Sequence, residues 1–366
     1  MDHLKEASER SGWIKVLLAF FYVYLFLVGI KLLELSLKGF GIDFATALIR
    51  TTSNPFLGLF IGIISTATIQ SSSATTSIVV GFVSSGILTI RNAIPIIMGA
   101  NIGTTVTNTI VSFAHITRRD EFARAFPGAV VHDIFNLLNV LVFFPIEIKF
   151  HIIEKISGAL AVAFREIGGI KFTSPLKQVV SPTAKLILHG FHGHYLYSLF
   201  FSFLLVVLAL TMLVRVIRRA SSGKLEILID QYLFKSQLSS GLLGFGLTVF
   251  VQSSSVTTSL VVPLVGAGLL SIEKVYPYVL GANIGTTFTA ILASLVTGKL
   301  LPVQAAFAHL TFNLLGILVW YPLKFIPIKA AKKLGAVAYM KRWAVVLYIL
   351  AIFFLIPGTL IFIFRR

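Results

Sequence analysis

Residues 70–107 and 252–289 are identical at 22 of 38 positions when one stretch is laid on the other without a gap, at an offset of 182. Chance and shared hydrophobicity do not produce such agreement, so the chain must fold as a duplicated unit. Each copy opens on the same four residues, Gln70-Ser71-Ser72-Ser73 and Gln252-Ser253-Ser254-Ser255. Each continues to a glycine-flanked asparagine, Gly99-Ala100-Asn101-Ile102-Gly103-Thr104-Thr105 and Gly281-Ala282-Asn283-Ile284-Gly285-Thr286-Thr287. After a loss of five residues the offset becomes 177, and His132-Asp133-Ile134-Phe135-Asn136 meets His309-Leu310-Thr311-Phe312-Asn313.

The setting of the copies excludes water as their main solvent. Residues 51–90 and 236–272 carry no charge for 40 and 37 positions, and the whole chain is 56% hydrophobic and 12% charged. Soluble domains hold about 45–50% apolar and about 25% charged residues. Residues 195–214 and 343–364 are each long enough to cross about 30 Å of hydrocarbon as a helix. A first span is expected at about residues 13–35, with Lys15 and Lys31 snorkelling to its ends. That span lies too late and is too long for a cleaved signal sequence, and reads as a retained helix. The balance of 31 Lys and Arg against 14 Asp and Glu gives +17. The basic residues stand at the ends of apolar runs, which fits positive-inside anchoring and not nucleic acid. The absence of cysteine excludes disulfides, thiolate catalysis and thiolate metal sites.

The two uncharged stretches exceed one crossing and suffice for two short arms around a polar knot. Irregular backbone at membrane depth is tolerated only where protein or a water-filled cavity satisfies its polar groups, so each reads as a hairpin with a buried tip. Three crossings lie between the hairpins, at about residues 92–117, 124–145 and 195–214. Three is odd, so the tips face each other from opposite sides, as in an inverted-topology repeat with its site near the midplane. Spans at 275–298 and 300–323 and the last one bring the count to seven and put the termini on opposite sides. A cytoplasmic N-terminus places 18 Lys and Arg inside and 13 outside. The expectation is an all-α polytopic membrane protein of two inverted-topology repeats, each with a re-entrant helical hairpin and a broken transmembrane helix. Residues 1–50 form the N-terminal helix and connector, 51–146 the first repeat and 147–194 an amphipathic surface linker. Residues 195–235 form the linking helix and loop, 236–328 the second repeat and 329–366 the C-terminal helix.

Serine hydroxyls, unpaired N–H groups and a helix N-terminus at each tip can hold an oxyanion without a full-charge partner. The same oxygens, with carbonyls of an unwound helix, can coordinate a hard cation. The competing structural reading is close helix packing through small residues, and for Gln70 and Gln252 an interhelical hydrogen bond. Two identical copies, each tied to a second polar motif, favour a site. Asp133 is an acid in an apolar stretch, and its counterpart is the uncharged Leu310. Intramembrane acids serve ions, protons or a buried pair, so the two halves should not bind the same cations. For His132 and His309 packing and hydrogen bonding are preferred over a proton relay, and Asn136 and Asn313 suit cation binding or helix capping.

At these residues the sequence resembles the type II sodium/phosphate cotransporters, whose hallmark is the twice-repeated Gln-Ser-Ser-Ser. The resemblance runs from about Gly58 to Tyr348 and includes residues 93–104, Val131-His132-Asp133 and Trp320-Tyr321-Pro322. It implies inorganic phosphate held between the hairpins by Gln70, Ser71, Ser72, Ser73, Gln252, Ser253, Ser254 and Ser255, with Asn101 and Asn283 at the facing breaks. It implies a sodium site using Gln252, Thr286 and Thr289, with Thr104 and Asn313 as further sodium candidates. A third sodium at Asp133 and Asn136 would make the cycle electrogenic. Pro127 and Ala282 depart from the family pattern, the long cysteine-bearing external loop of animal members is replaced by a short linker, and no appended soluble domain is expected after Arg366.

The reading is therefore a secondary transporter, not an enzyme, that couples sodium influx to phosphate uptake in the plasma (inner) membrane. Sodium is the co-transported ion and no organic cofactor is implied. Partners are phosphate, sodium and lipid, with a homodimer left open and no nucleic acid. A sodium-coupled carrier of sulfate or a dicarboxylate is the alternative, although the motifs lack an arginine to fork a carboxylate. An anion channel fits opposed hairpins less well. A serine hydrolase would need a base beside its serine, which the local sequence does not supply.

Overall fold

The structure is a computed structural model that describes residues 2–164, 175–192, 194–220, 233–295 and 299–364. Helix α1 (Asp2–Arg50) runs without interruption well past the expected end of the first span. Lys31, within it, pairs with Glu34 one turn on, at 2.8 Å. The first hairpin is α2 (Pro55–Ile69) and α3 (Ser72–Ser84). Asn54 caps α2 by accepting the Leu57 N–H, with Pro55 at the first helical position where a missing N–H costs nothing. The chain continues through α4 (Ile90–Thr104), α5 (Val106–Ser112), α6 (Arg119–Phe150), α7 (Ile152–Ala163), α8 (Pro175–Gly190) and α9 (Tyr195–Ala220).

The second hairpin is α10 (Gln237–Val251) followed by α11 (Ser254–Ser259) and α12 (Val261–Gly266). Its return arm is divided at Leu260, because Pro263 has no N–H to give the Ser259 carbonyl. The first hairpin has Gly81 at that position, and α3 is unbroken. Then come α13 (Ile272–Leu295), α14 (Leu300–Trp320) and α15 (Phe325–Met340). The last crossing is α16 (Trp343–Leu350), a π turn over Ala351–Leu355, and α17 (Ile356–Phe364).

No strand occurs among the described residues, and six helices are long and apolar enough to cross a membrane. The chain is an all-α polytopic membrane protein. Five of the spans expected between residues 92 and 364, and the first one, have their counterpart among the six. Helix α13 is not one of them; the expected span to which it belongs, residues 275–298, runs past the described residues. The Ile90–His115 span is almost wholly buried, at 94%, whereas Trp343–Phe364 is 11% buried and offers its side chains to lipid. The arms α2 and α10, at 15 residues each, reach only about 22 Å, too short to cross.

Both first arms lie directly on the backbone of the helix that follows. Gly99 faces the Leu59 carbonyl and Gly62 the Ile96 carbonyl; at the same register Gly281 faces Gly241 and Gly244 faces Tyr278. Small residues let two backbones approach this closely where water provides no driving force.

The expected pair of broken helices is half realised. The first copy is interrupted at Thr105, between α4 and α5, but the second runs unbroken as α13. The sequences diverge just there: Thr-Val-Thr-Asn-Thr against Thr-Phe-Thr-Ala-Ile. The β-branched and asparagine residues of the first lose more on entering a helix, and their polar groups have partners elsewhere.

Part of the stretch read as a surface linker belongs to the body of the protein. Helix α7 packs on α14 of the second half, and α15 packs on α6 of the first. Gly158 meets Gln304 and Gly335 meets Pro127, two pairs related by the same offset of 177. Ile153, Ser157 and Ala161, one turn apart, form the buried stripe of α7. The Glu147 carboxylate accepts the N–H groups of Ile153 (2.6 Å) and Glu154 (3.1 Å), which starts α7 with a cap from the preceding helix. Glu147, His151 and Glu154 group three metal-type donors, but these bonds and an Arg91 contact to Glu154 (3.3 Å) account for the carboxylates as cap and ion pair. Residues 165–174 of the same linker lie outside the described residues.

Candidate functional site

Each hairpin turns on its glutamine. Gln70 (φ 61°) and Gln252 (φ 57°) both hold the left-handed conformation, which costs a side-chain-bearing residue of order 1–3 kcal/mol. The following serine then caps the return arm: Ser71 accepts the Ala74 N–H at 3.2 Å and Ser253 the Val256 N–H at 3.4 Å. The turns match closely, with Ser71 at φ −153°, ψ 105° and Ser253 at φ −155°, ψ 109°.

Behind these caps, Ser72, Ser254 and Ser255 are buried, and Ser71, Ser73, Gln252 and Ser253 are half-buried. The first-turn N–H groups of α3, from Ser72 and Ser73, have no partner within their own helix. They and the hydroxyls form an arrangement suited to an anion, with the dipole of a 13-residue helix behind the first tip and a 6-residue one behind the second.

Gln70 itself is buried and fully engaged. Its Nε2 donates to the Ala67 carbonyl (2.7 Å) and its Oε1 accepts from the Thr107 hydroxyl (2.5 Å). Thr107 thereby joins the tip to the start of α5, just past the helix break. Thr289, its repeat counterpart, has its side chain outside the described residues. Thr104 and Thr286 occupy matching positions and turn their hydroxyls back on Ala100 (2.8 Å) and Ala282 (3.2 Å).

The four asparagines bond to one another across the two halves. Within each repeat the later asparagine donates to the backbone of the earlier one: Asn136 to the Asn101 carbonyl (2.9 Å) and Asn313 to the Asn283 carbonyl (3.2 Å). Between repeats, the Asn101 amide donates to Asn313 Oδ1 (2.9 Å) and the Asn283 amide to Asn136 Oδ1 (3.1 Å). The pattern is a ring with two-fold pseudosymmetry, and Asn101, Asn136 and Asn313 are almost completely buried in it. His309 bonds Asn101 Oδ1 at 2.8 Å. His132 lies against Asn283 in the corresponding place, without a hydrogen bond of good geometry.

Asp133 is fully buried and takes hydroxyl hydrogen bonds from Thr109 at 3.2 Å and Tyr348 at 3.1 Å, both on Oδ2, with the Thr105 hydroxyl also beside its carboxylate. Its Oδ1 has no hydrogen-bond partner. No arginine, lysine or histidine pairs with it among the described residues, so the ion-pair explanation for this acid falls away. A bare carboxylate oxygen next to threonine hydroxyls is a donor set that suits a hard cation. Thr107, Thr109 and Tyr348 were not singled out by the sequence. Thr107 had a signal, being repeated at Thr289; Thr109 and Tyr348 have none, since Ile291 stands in the place of Thr109.

A cavity of about 710 Å³ opens between the end of α5 and α9, near Arg118 and Arg215, and no residue of either tip lines it. It lies beside the connection between the Ile90–His115 and Arg119–Phe150 spans.

The sequence model of the Na+/Pi-cotransporter family matches residues 25–145 and 203–355. The chain belongs to the Na+/Pi-cotransporter family. Each matched Na+/Pi-cotransporter segment contains one hairpin, one Gln-Ser-Ser-Ser tip and one pair of ring asparagines; the unmatched residues 146–202 hold α7, α8 and the linker between them. Among curated relatives, the sodium-dependent phosphate transport protein 2B of Homo sapiens is 34% identical over 448 residues, covering 95% of this chain and 65% of the relative. Protein 2B of Pongo abelii gives the same figures. The sodium-dependent phosphate transport protein 2A of Rattus norvegicus is 34% identical over 434 residues, covering 97% and 68%. The chain thus spans about two thirds of the length of the relatives it matches. No solved structure matches it.

Proposed function

We propose that this chain is a secondary transporter in the plasma (inner) membrane that couples sodium influx to uptake of inorganic phosphate by alternating access. The observation that carries this reading is the pair of hairpin tips with one backbone geometry, each backed by a matching polar helix, in a chain of the Na+/Pi-cotransporter family. Phosphate would bind between the tips, on Ser71, Ser72 and Ser73 and on Ser253, Ser254 and Ser255, with Gln70 and Gln252 shaping the turns. Sodium would use Gln252, Thr286 and Thr289, and a third ion Asp133.

Inversion of the repeats is supported by what the open ends of the hairpins touch. The mouth of the first bonds Lys299 (through Ser84, 3.2 Å) and Phe364 (through Asn54, 3.3 Å). The mouth of the second bonds Tyr321 (through Gln237, 2.8 Å) and Arg124 (through Gly266, 3.1 Å). Lys299 and Tyr321 flank α14, whose 21 residues extend about 31 Å, one bilayer thickness. Two mouths at opposite ends of a crossing helix put the tips between them. With the excess of Lys and Arg placed inside, the N-terminus would be cytoplasmic and the C-terminus opposite.

Uptake of radioactive phosphate into proteoliposomes tests the reading. An inward sodium gradient should drive accumulation and a potassium gradient should not, and excess sulfate or dicarboxylate should leave the signal unchanged. Sodium-driven uptake of sulfate in place of phosphate would refute the substrate and keep the coupling.

A further inference from the structure

The two repeats are not equally closed. Along α3 of the first hairpin Ser77, Gly81 and Ser85 are exposed at four-residue spacing from the half-buried Ser73, and a Cβ added at Gly81 would meet nothing within 4 Å. This lane ends in a cavity of about 360 Å³ lined by Ser77, Gly81, Ser84, Ala290 and Lys299 among others. Of the corresponding residues of the second hairpin, Ser255, Ser259 and Pro263 are buried and Ala267 is half-buried.

One position separates the two sides. Asn108, on α5, accepts from the hydroxyls of Thr258 (2.9 Å) and Ser259 (3.0 Å) on the return arm of the second hairpin. Its counterpart at the 182 offset is Ala290, which has no group to offer. The counterpart of Thr258 is Thr76, whose hydroxyl is fully buried and has no hydrogen-bond partner, and the counterpart of Ser259 is Ser77, exposed to the cavity. The first hairpin keeps the hydroxyls of the arrangement and lacks the amide that would receive them.

We infer that Asn108 is a one-sided latch: by joining α5 of the first repeat to α11 of the second, it closes the path on the second hairpin's side, while Ala290 leaves the path along α3 open to the tips. The latch rests on the transport reading above, because it decides which side a midplane site faces. A substitution that removes it shifts a population of two states by the worth of the Ser259 bond and a share of the Thr258 one, whose single hydrogen also faces the Ser254 carbonyl at 2.7 Å, and adding an asparagine at 290 supplies the missing acceptor for Thr76. Asn108 is a positioning residue, since it acts through the arm and not on the cargo.

The chain has no cysteine, so single cysteines report access without background. Gly81→Cys and Pro263→Cys would be made separately, reconstituted, and reacted with a membrane-impermeant maleimide from each side, with neither sodium nor phosphate present. Gly81→Cys should react and Pro263→Cys be protected. Adding Asn108→Ala should speed labelling of Pro263→Cys by about tenfold, and adding Ala290→Asn should slow that of Gly81→Cys. Continued protection of Pro263→Cys in a monodisperse Asn108→Ala protein, or unchanged labelling of Gly81→Cys with Ala290→Asn, would overturn the latch. The readout needs no cargo, so a chain that failed the phosphate uptake assay would still give a decisive labelling result.

Discussion

Thr107 donates its hydroxyl to Gln70 Oε1 at 2.5 Å, and this one bond joins the tip of the first hairpin to the helix that breaks beside it. Gln70 is held in a left-handed turn with its amide spent on Ala67, so Thr107 fixes the face that the serines present. Thr107→Val keeps the shape and removes the donor, leaving a buried acceptor unpaired at about 1–3 kcal/mol. Phosphate uptake should fall about tenfold or more, and Thr107→Ser should restore it. Equal uptake by the valine variant would show that the bond does not orient the tip.

Replacement of Ser72 or Ser254 by alanine should abolish uptake while membrane insertion and the elution volume of the purified protein stay as in the native chain. Both serines are buried at the tips, and each loses an anion contact that water cannot replace. Sodium-driven uptake at native rates in both variants would return the serine triplets to a packing role.

Asp133 links one residue to a stoichiometry. Divalent phosphate with two sodium ions is a neutral cycle, and a third sodium moves one net charge, worth about 2.3 kcal/mol per 100 mV or roughly a fiftyfold gain in accumulation. Oδ1 of Asp133 has no hydrogen bond of good geometry, and no cationic side chain among the described residues pairs with the carboxylate. Phosphate-induced current is therefore expected in the native protein, and Asp133→Gly should silence the current while some uptake persists. Electroneutral transport by the native chain would refute the third ion and leave phosphate as substrate.

Gly99→Ala and Gly281→Ala should each lower the melting temperature of the detergent-solubilised protein. The new Cβ would press on the Leu59 and Gly241 carbonyls, rigid backbone that cannot turn aside as a side chain would. Overpacking of this kind costs about 1–3 kcal/mol. A melting curve that matches the native one in both variants would mean that the arms stand further apart.

The hairpins were legible because Gln70 and Gln252 repeat in a context where charge is absent for some 40 residues, and a polar knot there has one plausible geometry. The break at Thr105 was legible and its absence in α13 was not, since the repeated heptapeptide is the same and the difference arises from the residues after it, Asn108 and Ala290 among them. The asparagines stood out in the sequence as ligand or capping candidates, but their bonding to one another requires knowing that α4, α6, α13 and α14 meet. That fact depends on tertiary geometry, which a pattern of spacings does not carry. The place of α7 was missed for a related reason: its match to α15 rests on small residues, Gly158 with Gly335 and Ala161 with Ala338, which look like any helix packing face until both are seen on opposite halves.

The reciprocal seating of α7 on α14 and of α15 on α6 also bears on ancestry. Each of the two helices is buried mainly on the other half and only slightly on its own. If the repeats are inverted as proposed, a single-copy ancestor with this packing would have been a pair of identical chains clasping one another, each inserted in the opposite sense. Fusion of two such chains would have made their proportion and their relative orientation permanent, and would have freed one copy to hold an asparagine at 108 and an acid at 133 where the other has Ala290 and Leu310.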